Sequence, residues 1–303
     1  MKKQKILWLL IVISLFALIL VVCFLTNLAG SDPIETPSPT ESPVTEPPVT
    51  EPPATDPTQP PTTEPVPEDK LEENPFKPGD FVKNGHFISC KKEKTAIGVD
   101  VSRYQGNIDW KKLKAAGVDY VIIRAAFRGT AMSGNLVKDA NVEKNYAGAK
   151  AAGLKVGFYL FSQANSVEEA EAEARFLLDI VKDWEVDLPL ACDWEYFSQS
   201  ETPRVHGMTT EQITACIKAF CQVIQAEGYY PMAHLRNNIQ VNVEELASFG
   251  LWYADYTDHL STPYRVDMWQ YSEKGRVSGI SGNVDLNVLF LENSIFAEIF
   301  KED

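Results

Sequence analysis

The chain has 303 residues, a formal net charge of −14 and 19 prolines, most of them crowded between Pro33 and Pro78. A packed core must therefore come from the residues after that stretch, which suffice for one large domain. No region carries a surplus of cations large enough to hold a polyphosphate backbone, which argues against nucleic acid as a partner.

In chain order, Ile6 to Thr26 is an uncharged, mostly apolar run, long enough as a helix to cross a ~30 Å hydrocarbon layer. Lys2, Lys3 and Lys5 precede it, so residues 1–28 are predicted to form a cytoplasmic tip and a transmembrane signal-anchor, with the remainder outside the cell. The alternative is a cleaved signal peptide and a secreted protein, although such segments usually carry a shorter apolar region. Residues 29–80 are rich in Pro, Thr and Glu and repeat a Thr-Glu-Pro-Pro theme from Thr45 and again from Thr50. With almost no large apolar side chains this stretch is predicted to stay disordered, as an extended linker. Residues 81–95 read as a short lead-in to a domain over 96–303.

Within that domain, β-rich runs alternate with helical ones, the pattern of a parallel sheet. Strands are predicted at Ile97–Val101, Tyr120–Ala125, Val156–Phe161, Leu188–Asp193, Tyr230–His234, Leu251–Ala254, Asp267–Tyr271 and Val284–Val288. Ser166 with Glu169, and Thr209 with Gln212, are spaced as capping boxes. Gly117, Gly153 and Gly228 each follow a helical run and are placed to end it in the left-handed conformation. Eight strands favour an irregular TIM-like (β/α) barrel with fewer helices in its C-terminal third. A doubly wound open sheet is the alternative, but no glycine-rich phosphate loop follows the first strand.

Cys90, Cys192, Cys216 and Cys221 are read as free thiols rather than a disulfide framework. His86, His206, His234 and His259 stand singly, with no zinc-like spacing. Neither a metal nor a cofactor is predicted.

Four acids lie in strand-like sequence. Asp193 and Glu195 leave the apolar run Leu188–Cys192, and a period of two puts both on one side with α-carbons roughly 6–7 Å apart. At that distance each charge affects the other's proton affinity, and one should keep its proton longer. Such a pair suits glycoside hydrolysis, where a protonated acid serves the leaving oxygen and an ionised neighbour stabilises positive charge. Asp100 and Asp285 sit inside apolar strands, where a carboxylate needs a partner or a purpose. The four converge only if the sheet closes. Aromatic residues that could stack on sugar faces are Trp194 and Tyr196 beside the acids, Trp252 and Tyr256, Trp269 and Tyr271, with Tyr104, Tyr159 and Gln163 as further candidates.

Together, Gly98–Ser102 with Tyr104-Gln105-Gly106, Val121–Arg124, Gly157-Phe158-Tyr159, Asp193-Trp194-Glu195, Trp269–Ser272 and Val284–Asn287 resemble glycoside hydrolase family 25, the muramidases called Chalaropsis-type lysozymes. The resemblance covers nearly all of residues 96–292. It implies an irregular (β/α) barrel, a monomeric catalytic domain without metal, and peptidoglycan glycan strands as substrate, cut at the β-1,4 bond between N-acetylmuramic acid and N-acetylglucosamine. It also implies Glu195 as general acid, Asp193 as its partner, and Asp100 and Asp285 as the other acids of the site. Two segments depart from the family pattern. Leu160 stands where a histidine is common, and Met232–Arg236 stands where a tyrosine and an asparagine are typical. A wall-binding module without chemistry, and a glycosidase acting on chitin-like polymers, are the competing readings.

Overall fold

The computed structural model of the chain describes residues 71–196, 204–292 and 294–301. Each β-branched or aromatic run after residue 95 becomes a strand. In chain order these are β3 (Thr95–Val101), β4 (Tyr120–Arg128), β6 (Lys155–Ser162), β7 (Leu190–Trp194), β8 (Pro231–Arg236), β9 (Gly250–Ala254), β10 (Met268–Gly275) and β11 (Val284–Phe290). Three short strands were not foreseen. A hairpin of β1 (Phe81–Asn84) and β2 (Phe87–Cys90) occupies the lead-in, and β5 (Leu136–Lys138) folds back on β4.

The eight long strands close into a barrel, because β3 pairs with β4 on one side and with β11 on the other. Neighbours from β3 through β10 run parallel, whereas β11 runs antiparallel to both β10 and β3. The structure is thus a mixed α/β fold around a closed eight-stranded barrel with few helices.

Four α-helices connect the early strands among the described residues: α1 (Trp110–Ala115), α2 (Val142–Ala151), α3 (Val167–Val181) and α4 (Thr210–Ala226). After β8 the connections hold only short 3₁₀ turns, which is the expected loss of helices in the last third. The capping chemistry accounts for where the helices begin. Thr209 and Gln212 make a full reciprocal box at α4. At α3, Ser166 Oγ accepts from the Glu169 N–H, but Glu169 reaches back to Asn165 N instead. The buried stripe of α4, including Ile213, Ile217, Phe220 and Ile224, faces the barrel wall.

Strand alternation sorts the side chains into two apolar layers. Val99, Val121, Val156, Leu190, Cys192, Trp194 and Leu286 point outward into the main core under the helices. Ala96, Tyr120, Ile122, Ala191, Met232, Trp252, Met268 and Leu289 point inward and fill the barrel. That filling is apolar toward the bottom of the barrel and leaves the inward positions of the upper end to polar residues.

The expectation of a single-pass membrane protein with an outward-facing catalytic domain is corrected. No helix among the described residues is long and apolar enough to cross a membrane. Residues 6–26, on which that expectation rested, lie outside the described residues, as does the repeated Thr-Glu-Pro-Pro stretch, but the end of the stretch expected to be disordered is not: within 71–80, Phe76 is buried against Phe290 and the Asn74 amide donates to the Thr262 carbonyl at 2.8 Å, because these side chains find apolar and polar partners on the barrel. Cys90, Cys192, Cys216 and Cys221 are free thiols.

Candidate active site

The inward face of each strand can be followed upward to the mouth. Asp100 follows Ala96 and Gly98 on β3, Tyr159 follows Gly157 on β6, Asp193 follows Ala191 on β7, and His234 and Arg236 follow Met232 on β8. All lie toward the C-terminal ends of parallel strands. Asp285 stands at the other end of its own strand, but β11 is antiparallel, so it meets Asp100 directly across the ladder. Reversing one strand thus delivers an N-terminal carboxylate to the same mouth.

Asp193 and His234 are register partners on β7 and β8. His234 Nδ1 lies 2.8 Å from Asp193 Oδ1 and 3.9 Å from Glu195 Oε1. The 2.8 Å contact sets the imidazole against the Asp193 carboxylate. The imidazole is buried, with its ring edge-on to Trp252 at 4.6 Å. Burial opposes its protonation, yet Asp193, Glu195 and Asp100 outweigh that and raise its proton affinity. Arg236 Nη1 donates to the same Glu195 oxygen, Oε1, at 3.4 Å. Burial, and then the charge of Asp193, push the Glu195 carboxyl up to about 7, against the opposing pull of His234 and Arg236. The backbone carbonyl of Glu195 accepts a hydrogen bond from Gln163 Nε2, and the Gln163 carbonyl accepts from Arg204.

Asp100 and Asp285 form a second acid pair. Asp100 Oδ2 accepts from Gln270 Nε2 at 2.9 Å and from Asn287 Nδ2 at 2.8 Å. Those amides are held in turn, Asn287 by Trp252 Nε1 and Gln270 by the Tyr256 hydroxyl. Burial raises both carboxyls. Asp285, pushed further by the neighbouring Asp100 charge, reaches about 9 and shares a hydrogen bond with Asp100. The pair therefore keeps a proton at neutral pH. Neither acid rests on Arg124, which is held by Asp139 at 2.8 Å.

The model of glycosyl hydrolases family 25 matches residues 99–280. The chain belongs to glycosyl hydrolase family 25. It is 30% identical over 199 residues to an autolytic lysozyme of Clostridium acetobutylicum, covering 63% of this chain and 54% of that protein. With lysozyme M1 of Streptomyces globisporus it shares 29% over 205 residues, covering 63% and 66%. The chain thus spans between about half and two thirds of the length of these curated relatives. Among solved structures, the bacterial lysozyme from Streptomyces coelicolor superimposes with a TM-score of 0.50 at 28% identity, over 63% of this chain and 90% of that one.

Of the aromatic residues expected to contact sugar in this family 25 chain, several belong to the core. Trp194 is fully buried on the outward face, with Nε1 donating to the Ala164 carbonyl at 2.9 Å. Trp269 is equally buried, its Nε1 donating to the Asp255 carbonyl. Tyr271 points outward too, and its hydroxyl donates to the His86 carbonyl at 3.3 Å. Trp252 points inward but lies buried beneath His234 and holds Asn287. None of these four offers a face to a sugar beside the acids. Tyr104 is 73% exposed and packs beside Arg103 and Arg124, while Tyr196 and Tyr256 are about a third exposed at the mouth. Tyr159 is buried among the acids; burial and then Asp100 raise its phenol well above its usual range.

Sequence reading missed His234, Arg236, Gln270 and Asn287 as members of the cluster. The signal was present. His234 and Arg236 have the inward parity of β8, and Gln270 and Asn287 that of β10 and β11.

Proposed function

We propose that the chain is a peptidoglycan muramidase that hydrolyses the β-1,4 bond between N-acetylmuramic acid and N-acetylglucosamine. The observation that carries this reading is the pairing, in a family 25 barrel, of a Glu195 carboxyl protonated up to about neutral pH with Asp193 beside it. Names of relatives that are lysozymes support the substrate. The catalytic unit is an irregular (β/α) barrel over residues 96–303, with the 81–90 hairpin packed against it, acting as a monomer.

Glu195 gives its proton to the glycosidic oxygen as the bond to the muramoyl anomeric carbon breaks. The leaving sugar departs as an alcohol, and Glu195 is left as a carboxylate. Positive charge then gathers on the anomeric carbon and ring oxygen, and Asp193, steadied by His234, faces that charge. The Asp100–Asp285 pair carries one shared proton and so offers the sugar both a donor and an acceptor. Water completes the reaction by adding to the anomeric carbon and returning a proton to Glu195. One oxygen of Asp193 and one of Glu195, with a His234 nitrogen, all lie within 4.8 Å of one another. At that spacing the Asp193 charge bears directly on Glu195 and helps it keep the proton the step needs. Tyr104, Tyr196 and Tyr256 supply the ring faces on which sugars stack.

Digestion of purified walls with the full chain tests the reading. New reducing ends of N-acetylmuramic acid support it. Ends of N-acetylglucosamine, or binding to walls without cleavage, would defeat it.

A further inference from the structure

A groove of about 370 Å³ lies on the outer rim of the barrel mouth. Lys83 and His86 of the β1–β2 hairpin form one wall. Tyr256 and Asp258, after β9, and Tyr271 and Lys274 on β10 form the other. The hairpin precedes residues 99–280, the part of the chain matched by the family model. It is a built feature. The Tyr271 hydroxyl accepts from Ile88 N and donates to the His86 carbonyl, which pins the hairpin against β10.

Tyr256 joins the groove to the acid cluster. It lines the groove, hydrogen-bonds Gln270 inside the mouth at 3.0 Å, and carries the Arg236 guanidinium over its ring at 5.2 Å. Three cations follow that path in an acidic chain, Arg236 against Glu195 and Glu273, Lys83 against Asp258 and Lys274 against Glu273, and in the groove lining itself Lys83 and Lys274 outnumber the one carboxylate, Asp258. Both lysines are loosely held. Lys83 sits 3.5 Å from Asp258 and Lys274 sits 3.4 Å from Glu273, and both lysine side chains are mostly exposed. Such pairs contribute little, so either ammonium can exchange its partner for a ligand carboxylate.

We propose that this groove receives the acidic peptide stem carried by the muramoyl residue bound at the mouth, with stem carboxylates meeting Lys83 and Lys274. The inference rests on the muramidase reading and specifies its substrate: stem-bearing glycan in preference to glycan stripped of peptide. The substrate's anionic arm and the sugar bond are then read by separate parts of the chain, the first by the β1–β2 hairpin and β10, the second by the barrel mouth.

The test compares full-length wild type with the Lys83→Ala/Lys274→Ala variant on two substrates, glycan strands bearing stems and the same strands after amidase treatment. On stem-bearing strands the variant should lose about fivefold in kcat/KM, the effect of two exposed ion pairs, and on stripped strands it should equal wild type. An unchanged preference, or an equal loss on both substrates, overturns the proposal. Should wild type cleave neither substrate, the muramidase reading fails, and calorimetric titration with a free acidic stem tetrapeptide then judges the groove alone. Binding that weakens in the variant supports it, and no binding, or equal binding, overturns it.

Discussion

Glu195 differs from the other glutamates of the chain in its surroundings rather than its chemistry. Burial and Asp193 hold its proton up to about 7, while Arg236 and His234 pull the other way. Because the proposed step needs the protonated form, turnover should fall as pH rises through about 7. Replacing Arg236 with Gln removes a cation that favours the carboxylate. The alkaline limb of the pH profile should then move to higher pH, and a limb that stays in place would show that another group sets it. Trp194 shows what the sequence made legible at this scale and what it did not. The period of two that puts Asp193 and Glu195 on one face puts Trp194 on the opposite face, under α3 and α4. Reading it as a sugar wall applied the alternation to the acids and not to the ring between them. Trp194→Ala should therefore cost about 3–5 kcal/mol of stability in chemical denaturation, the signature of a core residue.

At the scale of elements, the closing strand does most to make the site. An antiparallel β11 brings Asp285 opposite Asp100, and two like carboxyls so placed are stable only with a proton between them. Both Asp285, at about 9, and Glu195, at about 7, bind protons more tightly folded than unfolded, where they titrate near 4. The stability they contribute is complete below about pH 4 and is lost as pH rises through about 7 and then about 9. Asp285→Asn, which mimics the protonated acid, should flatten the upper part of that decline in a series of melting curves. Gly98, on the inward face of β3, meets the ring of Tyr120, which a Cβ there would approach to 2.1 Å. Gly98→Ala should thus destabilise the barrel by about 1–3 kcal/mol or more, measured in the same way. All eight barrel strands were visible as local patterns. The hairpin and β5 were not, since strands of three or four residues carry too little alternation to register, and the direction of β11 depends on partners far away in sequence.

For the molecule as a whole, the family signature and the four acids were legible because the motifs lie at strand ends, where local sequence and chemistry coincide. His234 and Arg236 were not, because their importance comes from facing Asp193 and Glu195 across β7 and β8. The apolar N-terminal run suggested a membrane span, but among the described residues no helix qualifies as one, and nothing in the chemistry of the barrel mouth depends on it. What the account requires of the whole chain is that distant strands deliver one proton donor and its partner to a single sugar linkage. The most direct test is to incubate full-length wild type and Glu195→Gln with purified peptidoglycan and count new N-acetylmuramic acid ends. The account predicts a loss of about a hundredfold or more in the variant, with a melting temperature no lower than that of wild type; a variant that cleaves as fast as wild type would contradict it.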